Sequence, residues 1–194
     1  MGIFFPSKCT SHLNIKNKNL IKEKKIELQK HIVYISLTGN IKVGITIKKN
    51  FKIRLIDQGS IKAIKLAETP NRYISGLIEN ICKKKISDRT NFRRMLTNKF
   101  IKNINLKKIK NTLINLILKK SKIYKKYIIN NNKIYKFIYP IIKYPKKIKI
   151  LNLIKKKYIK NKKLIGIKGQ YLIFKKNYVL NIRNHIGYSI NIKF

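Results

Sequence analysis

Arg72, Gly76 and Glu79 stand four and three residues apart in a segment of helical periodicity, so a guanidinium, a bare backbone position and a carboxylate share one stripe. Glycine inside a helix costs about 1 kcal/mol relative to alanine. Here it would let another backbone or a phosphate come close to Glu79. The arginine of the stripe is a group that can pair with such a phosphate. The alternative is an exposed helix carboxylate beside Lys83, four residues on.

The surroundings set that stripe apart. Only six acidic residues exist, Glu23, Glu27, Asp57, Glu68, Glu79 and Asp88, and none follows Asp88. Four of them crowd into 57–88, with Arg54, Arg72 and Arg89 in or beside the same stretch. The rest is rich in Lys, Ile and Asn, as an AT-rich coding bias would produce. Residues that resist such a drift, including Arg54, Gly59, Arg72, Gly76, Glu79 and Asp88, have chemistry that is hard to replace.

A net charge of +42 over 194 residues attracts polyanions. Nucleic acid, DNA or RNA, is the expected partner class. Two cysteines, Cys9 and Cys82, do not make a disulfide framework, and a reducing cytoplasm is the expected compartment. The opening Met1–Pro6 lacks a basic n-region. Lysines interrupt every apolar run well short of the roughly 20 residues of a membrane helix, so no membrane partner is expected.

The elements that must position these groups read as an α+β domain, a small antiparallel sheet with flanking helices. Residues 1–30 are a lead-in with a helical stretch over Asn19–Gln29. A core spans 31–98. His31–Leu37 and Ile41–Thr46 alternate around Thr38-Gly39-Asn40 as a β-hairpin. A helix follows over Phe51–Gln58, stopped by Gly59, then a strand over Ala63–Ala67. Thr69-Pro70 reads as the N-cap and first position of the next helix. On that helix Ile74, Leu77, Ile78, Ile81 and Cys82 make an apolar face, which leaves the Arg72–Glu79 stripe pointing away from the core.

Asp57 and Asp88 could instead serve as structural caps. Asn91–Asn98 reads as a short helix with Phe92, Met95 and Leu96 inward and Arg89, Arg93 and Arg94 as a basic rim. Residues 99–163 are low-complexity Lys/Ile/Asn/Tyr, with helix expected over Leu106–Lys126. Residues 164–194 form a second β-hairpin unit, Gly166–Phe174 against Tyr178–Arg183, with Tyr188–Phe194 as a third strand. Tyrosines beside lysines and Arg183 there could stack on bases or simply pack on the pleat.

Tyr34, Gly44, Thr46, Arg54, Gln58 and Glu79 form an ordered series that resembles the GIY-YIG nuclease fold. His31-Ile32-Val33-Tyr34 stands at the first half-motif and Lys42-Val43-Gly44 at the second. The resemblance implies a phosphodiester hydrolase with one Mg²⁺ or Mn²⁺ ion. Tyr34 would help activate water, Arg54 clamp the phosphate, Gln58 contact water or phosphate, and Glu79 hold the metal. Two positions depart from the pattern: Lys42 replaces a tyrosine, and Gln58 replaces a residue often histidine.

A closer resemblance is to the bacterial domain of unknown function 2797 family. It rests on Lys42–Thr46, Arg54–Gly59, Ala67–Glu79 and Ser87–Phe92, and more weakly on Gly166–Phe174 and Asn181–Arg183. Longer members are similar in beginning with a zinc-ribbon-like segment, of which Cys9 and His12 resemble a remnant. Zinc is not expected from that pair alone, because a structural site takes four ligands.

The sequence thus points to a nucleic-acid-binding protein with a GIY-YIG-like, metal-dependent phosphodiester-cleaving site. Tyr34, Arg54, Gln58 and Glu79 would be its centre, and Lys42, Arg72, Arg89, Arg93, Arg94 and Arg183 its nucleic-acid contacts. The rival readings are a non-catalytic DNA- or RNA-binding protein on a vestigial nuclease fold, which Lys42 favours, and a protein-interaction module whose charge is incidental.

Overall fold

The computed structural model describes residues 26–99, 103–153 and 161–189. Most of the Asn19–Gln29 helix, the Cys9–His12 pair and the last residues of the expected Tyr188–Phe194 strand lie outside them. The chain is α+β, built on two four-stranded sheets.

β1 (His31–Leu37) and β2 (Ile41–Ile47) form the expected hairpin, paired antiparallel from His31–Ile47 to Leu37–Ile41. All seven residues of β1 are buried. This is why its β-branched run needs no polar alternation: the strand is covered on both faces. Helix α1 (Phe51–Asp57) follows, and the chain turns away at Gly59, whose φ of +68° suits glycine. β3 (Lys62–Thr69) then pairs with the other side of β1.

Helix α2 (Arg72–Lys83) is capped by Asn71, whose Oδ1 accepts from the Ile74 N–H at 2.9 Å. The cap is therefore not Thr69. That residue ends β3, and its hydroxyl is engaged with Ser75 Oγ at 2.5 Å and the Asn71 carbonyl at 3.0 Å. Pro70 stays outside the helix. Ile78, Ile81 and Cys82 pack on the sheet with Val33, Ile35 and Val43, while α1 closes the opposite face with Phe51 and Leu55 against Ile32 and Tyr34.

Helix α3 (Phe92–Leu96) buries Met95 and Leu96. Helix α4 (Leu106–Lys120) stops earlier than its composition implies. Ser121 is extended, and a 3-10 turn over Lys122–Tyr127 replaces the last turns. Leu106, Leu113 and Ile117 join the core beneath α2. Lys110 is buried beside them, its ammonium spent on the Ile129 and Asn131 carbonyls. β4 (Ile134–Lys136) adds a fourth strand outside β3, giving the order β2-β1-β3-β4.

The second sheet has the order β5-β8-β7-β6, from β5 (Lys149–Leu151), β6 (Leu164–Lys168), β7 (Tyr171–Phe174) and β8 (Tyr178–Asn181). The run Gly166–Phe174 is thus not one strand. Gly169, at φ +56°, breaks it into a hairpin of its own, and β5 from the lysine-rich middle pairs parallel with β8. That inner hairpin docks on the end of α1: the Gln170 N–H donates to the Asp57 carbonyl at 3.1 Å. Lys168, fully buried, donates to the Met95 carbonyl at 3.1 Å between the rings of Tyr139 and Tyr144.

Candidate functional site

Tyr34 faces Gly44 across the β1–β2 hairpin, and its ring lies over the glycine: a Cβ there would stand 2.6 Å from Tyr34 Oη. Phe51 of α1 holds the other side edge-on, with centroids 5.9 Å apart. The hydroxyl donates to Gln58 Oε1 at 3.0 Å. Gln58 caps α1 one turn after Arg54, so both side chains leave the helix on one face. Burial pushes the phenol up to about 12, against the pull of Arg54 and with a push from Glu79. At neutral pH Tyr34 is therefore a fixed, uncharged hydrogen-bonding group.

Glu79 does not point away from the core. Gly76 and Glu79 are both buried, Glu79 at 8% exposure, and the stripe faces a cleft. Burial raises the carboxyl above its ordinary value, while Lys83 and Arg72 resist the shift. Lys83 Nζ lies 3.7 Å from Glu79 Oε2 and 2.9 Å from Asp88 Oδ2. The i+4 pair is present, but within a triad in which Glu79 is buried and Lys83 and Asp88 are open to solvent, with Asp88 brought from the following loop. That loop is tied to β2 by the Val43 N–H bond to the Ser87 carbonyl, 2.9 Å. Its hydrogen bond to Lys83 holds Asp88 below the usual carboxylate value.

Lys42, also on β2, is 5% exposed, and its ammonium makes no ion pair or hydrogen bond among the described residues. Burial, then the nearby Arg54, lowers its ammonium to about 8, against Asp88 and Glu79. Arg72 has one guanidinium nitrogen, Nη1, buried without a partner among the described residues. A buried donor left unmatched is costly. Arg72 lines the same cleft as Glu79.

These side chains line one cleft of about 490 Å³ running along β2, the edge of the first sheet. Tyr34, Lys42, Arg54, Gln58, Arg72 and Glu79 all reach it, and Arg183 enters from the 3-10 turn Ile182–His185 that follows β8. Arg89, Arg93 and Arg94 do not line it; they are exposed elsewhere on the surface. Lys83 and Asp88, which the sequence offered only as a neighbour of Glu79 and as a structural cap, also line the cleft. The i+4 spacing of Lys83 from Glu79 was the available signal; nothing local placed Asp88 opposite.

Among the described residues no three His, Cys, Asp or Glu gather as a metal cluster. The oxygen donors of Glu79 and Asp88 nevertheless suit a hard cation. Mg²⁺ is commonly held by one or two carboxylates, with waters and substrate phosphates completing its shell. Positive charge already stands against this pair, as the Lys83 ammonium.

A family model described as Protein of unknown function (DUF2797) matches residues 1–190. The match runs through the lysine-rich middle, which the sequence resemblance had left out. Neither the curated proteins nor the solved structures provide a match. No helix among the described residues is long and apolar enough to cross a membrane.

Proposed function

The chain belongs to the DUF2797 family, and from that premise we propose that it binds nucleic acid by seating a backbone phosphate in this cleft, and that the cleft cuts the phosphodiester in a GIY-YIG-like manner. The observation that carries the reading is convergence. Tyr34 of β1, Arg54 and Gln58 at α1 and Glu79 of α2 meet in one cleft beside the unmatched Nη1 of Arg72.

Arg54 and Arg72 would neutralise the phosphate as charge develops on its oxygens, in a half-buried site where such donors act more strongly than in water. Tyr34, held neutral and fixed by Gln58, would orient the attacking water through its hydroxyl oxygen. Glu79 would hold Mg²⁺ or Mn²⁺, which when bound polarises a phosphoryl oxygen and steadies the leaving one. Arg183 would meet the strand beyond the scissile position.

The test is cleavage of labelled single-stranded, duplex and branched DNA and RNA with and without Mg²⁺ or Mn²⁺. Metal-dependent cutting, lost in Glu79→Ala and Arg54→Ala, is the expected result. A second reading, binding without hydrolysis, is favoured by Lys42 where the resemblance calls for a second tyrosine. Tight binding with no cutting, unaffected by Glu79→Ala, would establish it and overturn the first.

A further inference from the structure

We propose that the Lys83 ammonium is the resident cation of the Glu79–Asp88 pair, and that a divalent ion reaches Glu79 only by displacing it. Lys83 is then a positioning residue that sets the cation affinity of the cleft. The inference rests on reading Glu79 as the metal-holding carboxylate.

The geometry differs from an ordinary surface pair. Nζ bridges two carboxylates at 2.9 and 3.7 Å, and the pair comes from separate segments. Glu79 sits one turn earlier in α2, its side chain 11% exposed, against 35% for Lys83 and 40% for Asp88, so water is excluded on the Glu79 side alone. Asp88 sits in a loop whose backbone is bonded to β2 through Ser87. The two carboxylates are thereby held on either side of the ammonium.

The other charges around the pair, Lys42, Arg54, Arg72 and Arg89, are positive, and among the described residues no further acid pairs with Lys83. An incoming divalent ion meets two carboxylates whose charge is already half compensated, and a like charge at bonding distance. Such repulsion is large wherever water is partly excluded. Removing the ammonium leaves the same oxygens with a net charge of −2 and no rival.

Mn²⁺ binding to the full chain, read from the paramagnetic resonance signal of the free ion, tests this without activity. Lys83→Met keeps the stem and removes the charge, and Lys83→Gln does the same with a polar end. Circular dichroism checks that both fold. We expect these variants to bind Mn²⁺ about tenfold tighter or more than wild type, Lys83→Arg to stay weak, and Glu79→Gln added to Lys83→Met to abolish the gain. Equal Mn²⁺ affinity in wild type and Lys83→Met would overturn the inference while leaving the proposed metal-holding role of Glu79 intact. No binding by either would overturn both.

Discussion

Tyr34 owes its position to what Gly44 lacks. A methyl at 44 would meet Oη at 2.6 Å and Cζ at 2.7 Å, so Gly44→Ala must push the ring off the strand. We expect a loss of about 1–3 kcal/mol in urea unfolding from this overpacking, with phosphate affinity falling as the bond to Gln58 breaks. Tyr34→Phe, which keeps the ring, should cost about 1 kcal/mol; the reverse order would mean that the glycine does not seat the ring. Lys42 carries the pH prediction. Its ammonium titrates at about 8 in the fold against 10.5 ordinarily. Below about 8 both folded and unfolded chains hold the proton and the fold bears the burial penalty. Between about 8 and 10.5 the folded chain alone releases it, so stability rises with pH there. Phosphate binding runs the opposite way, because the charge that attracts the anion is lost as pH rises through about 8. Lys168, also lowered to about 8, adds to the stability trend, so affinity is the cleaner readout. Oligonucleotide affinity should fall from pH 7 to 9 in wild type and fall less in Lys42→Met; equal slopes would remove Lys42 from the binding site.

The elements whose signals are local were legible. A β-rich run, a Thr-Gly-Asn turn and an alternating second run placed the β1–β2 hairpin, and Gly59 at positive φ ended α1 where a stop was expected. The cap of α2 was not legible, because Thr69 and Asn71 are both capping residues, and only the length of β3 decides between them. The Arg72–Glu79 stripe was read correctly as one face but assigned to solvent; what that face meets depends on β2 and the Ser87 loop, distant in sequence. The hairpin at Gly169 was missed because Lys168-Gly169-Gln170 lies inside an otherwise strand-like run, and its position is fixed by docking on α1. That docking positions Arg183. Gly169 is at φ +56°, and a Cβ there would collide with the Asp57 carbonyl. Gly169→Ala should therefore lift the second sheet from α1. It should weaken oligonucleotide binding at least as much as Arg183→Ala, and lower the thermal midpoint, which Arg183→Ala should leave unchanged. Undiminished affinity in Gly169→Ala would show that Arg183 reaches the cleft independently of that contact.

At the scale of the whole molecule, a charge of +42 obscures the cleft, since so strong a field binds any polyanion at low salt. The lysine-rich middle reads as featureless from composition. Yet it supplies α4 beneath the core, the outer strand of one sheet and a parallel strand of the other, because isoleucine at sparse positions is enough when both sheets offer an uncovered edge or face. Lysine does double service there, as solvated charge and, at Lys110, as a buried link to two carbonyls. Field and site separate by salt. Each phosphate contact removed lowers the slope of log affinity against log salt by about one, and exposed charges are screened more completely than half-buried ones. The triple variant Arg89→Ala, Arg93→Ala, Arg94→Ala removes exposed charges outside the cleft, so its defect should shrink toward zero as salt rises. Arg54→Ala removes a half-buried charge beside Tyr34, so its defect should persist at high salt. If both defects vanish together in the same titration, the cleft contributes no more than its share of the general field, and the convergence of Tyr34, Arg54, Gln58 and Glu79 has no bearing on binding.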